Sequence, residues 1–356
     1  MKNPLGGCLA TSIDVVKRAG VSRATVSNVI SGARYVSPEL IERVEAVICE
    51  LNYYPHGVAR SLAAKKTFSV GLLIPRIASP FYPPIVSAVE KTLGKGGYSI
   101  ILGDSNENVA KEEKILRVLA EKRVDGLLWV PCGDSNVGFI RTIKKSGTPV
   151  VVIDRRLGTC EFDTVVSDNR AAGKKATEYL FALGYRRVAL LTFSQKIAPA
   201  RERLEGYYEA HERSGVKVDK SLVCIVGHPE FKNARVKLAK LLQKPGRPEA
   251  IFACSDLLSL SAIYETRRAG LNIPRDLAIL GFDDSPWGAF LEAPLTVITQ
   301  DTQNLGIIAA QMLLKRLNNK QIDSPQIVEL PVKLIRRRSC GETGGQEDFH
   351  MLGSIV

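Results

Sequence analysis

Thr11–Gly32, TSIDVVKRAGVSRATVSNVISG, is the stretch on which the reading of the chain turns. Val15, Val16 and Ala19 fall on one face of a short helix. Gly20 is free to adopt positive φ, and Ser22 can cap the helix that follows. Val26, Val29 and Ile30 turn that second helix inward, leaving Arg23, Ala24 and Asn28 outward with Ser27 near the edge. Helix, glycine turn, helix is the arrangement that lays a recognition helix in the major groove of DNA. Arg can bond guanine O6 and N7 together, and Asn can do the same to adenine N6 and N7. The alternative is a helical hairpin whose polar residues are merely solvated.

Working outward, Leu40, Val44, Val47 and Leu51 give Ser37–Leu51 the spacing of a third helix that closes a small core. The next segment, YYPHGVARSLAAKK, has Pro55 placed to open a helix and Ala59 and Leu62 on one side of it. It is shorter than the ~12–15 residues at which an isolated helix is stable in water, so it is expected to order on DNA or a partner. Leu62 is then a candidate minor-groove wedge, against the plainer reading of a surface linker.

After Phe68 the pattern changes. FSVGLLI, YSIIL, GLLWV, VVVI, RVALLT, SLVCIV, AIFA and LAILGF alternate with amphipathic segments at intervals of roughly 25–35 residues. That rhythm predicts βαβ units in two series dividing near Ser167–Asp168, hence two doubly wound parallel-sheet lobes with a cleft between them. The expected organisation is an all-α helix-turn-helix head over 9–54, a hinge helix and linker over 55–67, an α/β body over 68–340 and a mobile tail over 341–356. Within the body, 68–167 with 296–326 is assigned to the first lobe and 168–295 with 327–340 to the second.

Parallel sheets bind ligands beyond the carboxyl ends of their strands. Ser79, Phe81 and Tyr82 follow the first strand, Asp154 the fourth, Ser255 and Asp256 follow AIFA, and Asp283 follows LAILGF. Arg203 lies in a helix expected over Arg201–Ser214, where a cation in the first turn opposes the macrodipole and invites a polar ligand. Glu202 or Glu205 could neutralise it instead. For Asp283 and Phe81 the competing readings are a loop carboxylate and a packing residue.

AGVSRATVSNVISG, LNYYPHGVARSLA, VDGLLWVP, VVVIDRR, VVSDNRAAG, RLEGY, IPRDLAILGFDD and LTVITQD together resemble the LacI/GalR family of bacterial transcription regulators, from about Thr11 to Ser339. The resemblance implies a homodimer whose heads read a near-palindromic operator, with a type I periplasmic-binding-protein-like body that holds a small-molecule effector. It implies DNA contacts from Thr11, Ser22, Arg23, Ala24, Thr25, Ser27, Asn28, Tyr53, His56, Ala59, Arg60 and Leu62. It matches Arg203 and Asp283 to effector-gripping positions and Phe81 to a lining position, and Ser255 stands where the family often has Asn. Asn28 and His56 stand where relatives often carry Arg and Asn, so the operator sequence cannot be borrowed.

Other classes fit less well. A net charge of +12 suits a polyanionic partner, but 1–67 holds only nine Lys/Arg against five Asp/Glu, so the charge is supporting evidence alone. The longest apolar runs fall far short of the ~20 residues of a membrane span. The start lacks the apolar core of a secretory signal, so the chain is expected to act in the cytoplasm, unlike a periplasmic sugar-binding protein. The seven cysteines are scattered and form no C-x-x-C pair, as reduced thiols would be. G-x-S-x-G, H-E-x-x-H and a phosphate-binding G-x-x-x-x-G-K-[ST] are all missing, so neither an enzyme nor a cofactor is expected. An Arg–Asp pair with an aromatic wall suits a sugar or nucleoside, with an amino acid or organic phosphate left open.

Overall fold

The computed structural model describes residues 10–31, 34–53, 66–227, 231–318 and 324–342. The chain divides into two compact units, Met1–Phe68 and Ser69–Val356. In the first, α1 (Ser12–Ala19), α2 (Arg23–Ser31) and α3 (Pro38–Glu50) enclose a core of Val15, Ala19, Val26, Val44, Val47 and Tyr53. Thr11 and Asp14 form a capping box at the start of α1, and Gly20 ends it at φ 64°. A methylated residue would be strained there, so the turn between the two helices depends on glycine. Arg18 clasps Glu50 across α1 and α3 at 2.5 Å.

The second unit runs β1 (Ser69–Ile74), α4 (Tyr82–Lys95), β2 (Ser99–Asp104), α5 (Val109–Glu121), β3 (Gly126–Trp129), α6 (Val137–Lys145), β4 (Val150–Ile153) and β5 (Asp163–Ser167). It continues with α7 (Asn169–Ala182), β6 (Val188–Thr192), α8 (Ala198–Ser214), β7 (Val223–Ile225), α9 (Phe231–Leu242), β8 (Ala250–Ala253), α10 (Asp256–Arg268) and β9 (Ala278–Phe282). The last elements are β10 (Thr296–Thr299), α11 (Thr302–Asn318), β11 (Ile327–Leu330) and β12 (Lys333–Ile335). One sheet has the order β2-β1-β3-β4-β5-β11 and is wholly parallel. The other, β7-β6-β8-β9-β10-β12, is parallel except for its last pair. All eight strand runs read from the sequence are strands, and the near-continuous burial of the six inner ones, β1, β3, β4, β6, β8 and β9, is what helices on both faces of a parallel sheet produce, while the edge strands β2 and β7 are partly exposed. Asp163–Ser167, with polar residues at both ends, is a strand that the apolar runs did not reveal.

The lobe boundaries differ from the expected ones. Thr296–Thr299 pairs with β9 in the second sheet, whereas Ile327–Leu330 pairs with β5 in the first. Only α11 from 296–326 packs on the first lobe, against α4 and β3–β5. The stretch 327–335 forms two strands because Pro331 cannot donate to a ladder; it breaks the run where the chain changes sheets. The chain therefore passes between lobes three times, after β5, β10 and β11. Among the described residues no helix is long and apolar enough to cross a membrane.

Candidate functional site

On the head, Arg23, Ala24 and Ser27 are exposed on α2 and Asn28 is half-buried. Ser22 Oγ accepts from the Thr25 backbone at 3.0 Å, and the two hydroxyls lie 2.9 Å apart, so both residues help to start the recognition helix. Thr11 does the same for α1, with its backbone N–H donating to Asp14 Oδ2 at 2.8 Å. These caps fix the edge that the helix presents. Tyr53, expected among the DNA contacts, is 7% exposed with its ring in the head's core. His56, Ala59, Arg60 and Leu62 lie outside the described residues.

In the body, a cavity of ≈ 400 Å³ opens at the carboxyl ends of the strands. Ser79, Phe81, Tyr82, Asp154, Arg203, Ser255 and Asp283, the seven side chains expected to meet an effector, all line it. Asp154 and Asp283 occupy equivalent places, each just after the fourth strand of its sheet order, at φ 67° and 63°. Each backbone N–H donates at 2.8 Å to the neighbouring strand, Asp154 to Val165 and Asp283 to Ile298. The tight left-handed turn lifts the carboxylate off the sheet and into the cleft.

Arg203 is 4% exposed. Its Nε donates to Asn169 Oδ1 at 2.9 Å and its Nη1 to the Cys254 carbonyl at 2.7 Å, while the guanidinium lies 3.5 Å from the centre of the Phe282 ring. The helix-dipole argument does not hold. With Pro199 in its first turn, α8 starts at Ala198 and puts Arg203 in the second turn. Nor do the neighbouring acids neutralise it: Glu202 lies 3.6 Å from Arg156, and Glu205 4.0 Å from Arg170. Asn169, a carbonyl and an aromatic face instead hold the cation toward the cavity.

Burial pushes the Asp283 carboxyl up to about 7, against the pull of Arg203. Burial also raises Asp154 and Asp256, the latter facing Ser79 and Arg76 of the opposite lobe. The sequence reading missed Glu107, Arg155 and Gln300, which also line the cavity. Arg155 forks onto Glu107 at 2.8 and 2.6 Å and bonds the Pro131 carbonyl at 3.0 Å, stiffening the floor of the first lobe. Arg155 directly follows Asp154, and Gln300 directly follows β10, so the strand-end rule could have found both.

The match to known proteins runs along most of the chain. The family model described as bacterial regulatory proteins, lacI family, matches residues 13–56, and that of a periplasmic binding protein-like domain matches 177–340. The ribose operon repressor of Haemophilus influenzae is 33% identical over 92% of this chain and 98% of its own length. The HTH-type transcriptional repressor PurR of Shigella dysenteriae is 35% identical over 94% and 98%. Among solved structures, the complex of the transcriptional regulator CelR with cellobiose has 31% identity and TM-score 0.71, covering 93% of this chain and 99% of that one. The lac repressor dimer bound to operator and the anti-inducer ONPF has 26% identity and TM-score 0.82, covering 94% and 99%.

Proposed function

The chain belongs to the lacI family of bacterial regulatory proteins, and we propose that within it this chain is a repressor whose grip on its operator is set by an uncharged sugar held between the two lobes. The cavity carries the reading. It is lined by the guanidinium groups of Arg76, Arg155 and Arg203 and by the carboxyl groups of Glu107, Asp154, Asp256 and Asp283. Fixed donors and acceptors of both signs suit hydroxyl groups, which donate and accept, while the acidic balance disfavours a phosphate. Phe81, Phe193 and Trp287 supply flat apolar walls for the C–H faces of a sugar ring. The sugars in the names of relatives, ribose and cellobiose, are in keeping with this class. Two copies acting on a near-palindromic operator complete the reading, in keeping with the lac repressor dimer bound to operator, and work on DNA agrees with a cytoplasmic location. Sugar binding closes or opens the cleft and so shifts the population of DNA-competent dimers. Titration of the full chain with unphosphorylated sugars, read by operator release or capture, tests this. Equal indifference to sugars and a response to a phosphate ester would overturn it.

Two expected results follow from the two ends of the molecule. Arg23→Ala costs about 1–3 kcal/mol on the cognate operator and much less on random DNA, because a bidentate base contact is lost rather than a phosphate contact. Equal losses on both DNAs would make Arg23 a backbone contact. In the body, sugar affinity falls as pH drops below about 7, since Asp283 must be ionised for both oxygens to accept, one from Gln300 and the other from a sugar hydroxyl. Binding favours the charged form, so affinity rises with pH through 7 and levels off above it. The fall on the acid side is at most about tenfold per pH unit. Calorimetry between pH 6 and 8 reads the slope, and a flat profile contradicts the role.

A further inference from the structure

The first lobe presents arginines to the cleft where the second presents acids, at two separate places. Near the chain crossings, Arg156 sends Nη2 to Glu329 Oε1 of β11 at 2.8 Å and brings Nε within 3.6 Å of Glu202 Oε1 on α8 of the second lobe. The two side chains are 34% and 16% exposed, so water reaches the pair. Farther from the crossings, Arg76 and Ser79 in the loop after β1 face Asp256 at the start of α10, and all three line the cavity. Burial pushes the Glu202 and Asp256 carboxyls up, and the opposing first-lobe arginine pulls each of them down. Glu202 also bonds Asn169, whose Oδ1 accepts from Arg203 Nε, so the first pair leads to the cation that faces the effector.

We propose that Arg156–Glu202 and Arg76–Asp256 are electrostatic clasps that hold the cleft closed before an effector arrives, which makes ionic strength a second regulator of the sensor. Each pair joins one lobe to the other, so parting the lobes breaks both. A half-exposed ion pair shifts an open-to-closed ratio roughly 1.4–5-fold. Two such pairs compound to roughly 2–25-fold, enough to move a balance between states that lie within a few kcal/mol of each other. Salt screens pairs that water reaches, so the closed state loses ground as ionic strength rises. The clasps act whichever effector fills the cavity.

The test uses the full chain at pH 8 without any sugar, and reads the cleft itself, because operator binding weakens with salt for reasons of its own. Trp287, on the cavity wall, is quenched with acrylamide, an uncharged probe that enters an open cleft; Trp129, the other tryptophan, is fully buried in the first lobe. Between about 50 and 500 mM NaCl the screening length falls from about 14 Å to about 4 Å. The quenching constant of wild type is expected to rise over that range. Arg156→Gln, checked for folding by thermal melting, raises the open-to-closed ratio roughly 1.4–5-fold at low salt and shows a smaller rise with salt. Glu202→Gln does the same from the other lobe, and Arg76→Gln combined with Arg156→Gln flattens the salt response. Arg117→Gln is the control: it removes an equal charge from a pair with Glu113 that lies within α5, and it should follow wild type. A wild-type constant that is flat in salt overturns the proposal, as does Arg156→Gln keeping the wild-type constant and slope. Arg117→Gln reproducing Arg156→Gln would trace the effect to net charge and overturn it as well.

Discussion

Arg203→Met is expected to abolish the effector response while leaving effector-free operator binding at its wild-type level. The guanidinium is buried, spends two nitrogens on Asn169 and the Cys254 carbonyl, and stacks on Phe282. It is also the charge that restrains the upward shift of Asp283, and it lowers Asp154 as well. Methionine can fill much of the space but supplies neither the hydrogen bonds nor the charge, so the Asp283 carboxyl is pushed up further and is more often the neutral acid at physiological pH. Removing one partner from a buried, hydrogen-bonded charged site costs about 2–5 kcal/mol of binding, or roughly 30- to 5000-fold in affinity. Calorimetry of sugar binding and operator titration with and without sugar measure the two halves separately. If the sugar is a corepressor, the variant binds operator weakly under all conditions; if an inducer, it stays bound. An unchanged sugar dose-response would remove Arg203 from the site.

Residue spacing made most of this legible, because the chemistry sits where strand rhythm and loop position coincide. Phe81, Asp154, Ser255 and Asp283 each follow a strand whose apolar run is plain in the sequence, and the strand-end rule brings them to one cavity. The same rule reaches Gln300 once LTVIT is known to lie in the second sheet, which the assignment of 296–326 to the first lobe obscures. The pairing of β10 with β9 rather than with the first sheet is a tertiary preference that a four-residue strand does not display. Glu107 was hidden for another reason: it lies in the loop after β2 at φ 56° and reaches the cavity through its fork with Arg155, a contact between segments distant in sequence. Tyr53 has a use that spacing did not show: the small head packs its ring into the core, since three short helices have few large apolar side chains to bury.

Gly206→Ala is expected to destabilise the body and weaken effector binding together, although the change adds one methyl group to a helix. In most helices that exchange stabilises by roughly 0.5–1 kcal/mol, because glycine loses more backbone freedom on folding. At position 206 a Cβ would stand 2.0 Å from the Arg170 carbonyl oxygen and 2.6 Å from the Lys174 nitrogen of α7. The contact is reciprocal: a Cβ on Gly173 would stand 2.1 Å from the carbonyl oxygen of Arg203 itself. Both obstacles are backbone, so no rotamer change relieves them and α7 and α8 must part. Overpacking in cores typically costs 1–3 kcal/mol, and a clash with backbone belongs at about 3 kcal/mol or above. Parting the helices also separates Arg203 on α8 from Asn169 on α7, breaking the 2.9 Å bond that aims the guanidinium. Gly94→Ala is the control. It lies in α4, where the nearest obstacle to a Cβ is the flexible Glu90 side chain at 3.9 Å, and it should be neutral or stabilising. Denaturant unfolding of both variants, with sugar titration of each, checks the pair of claims. A Gly206→Ala protein as stable as wild type would mean that α7 and α8 can separate without cost. A destabilised one that still bound sugar at full affinity would show that the helix crossing does not position Arg203.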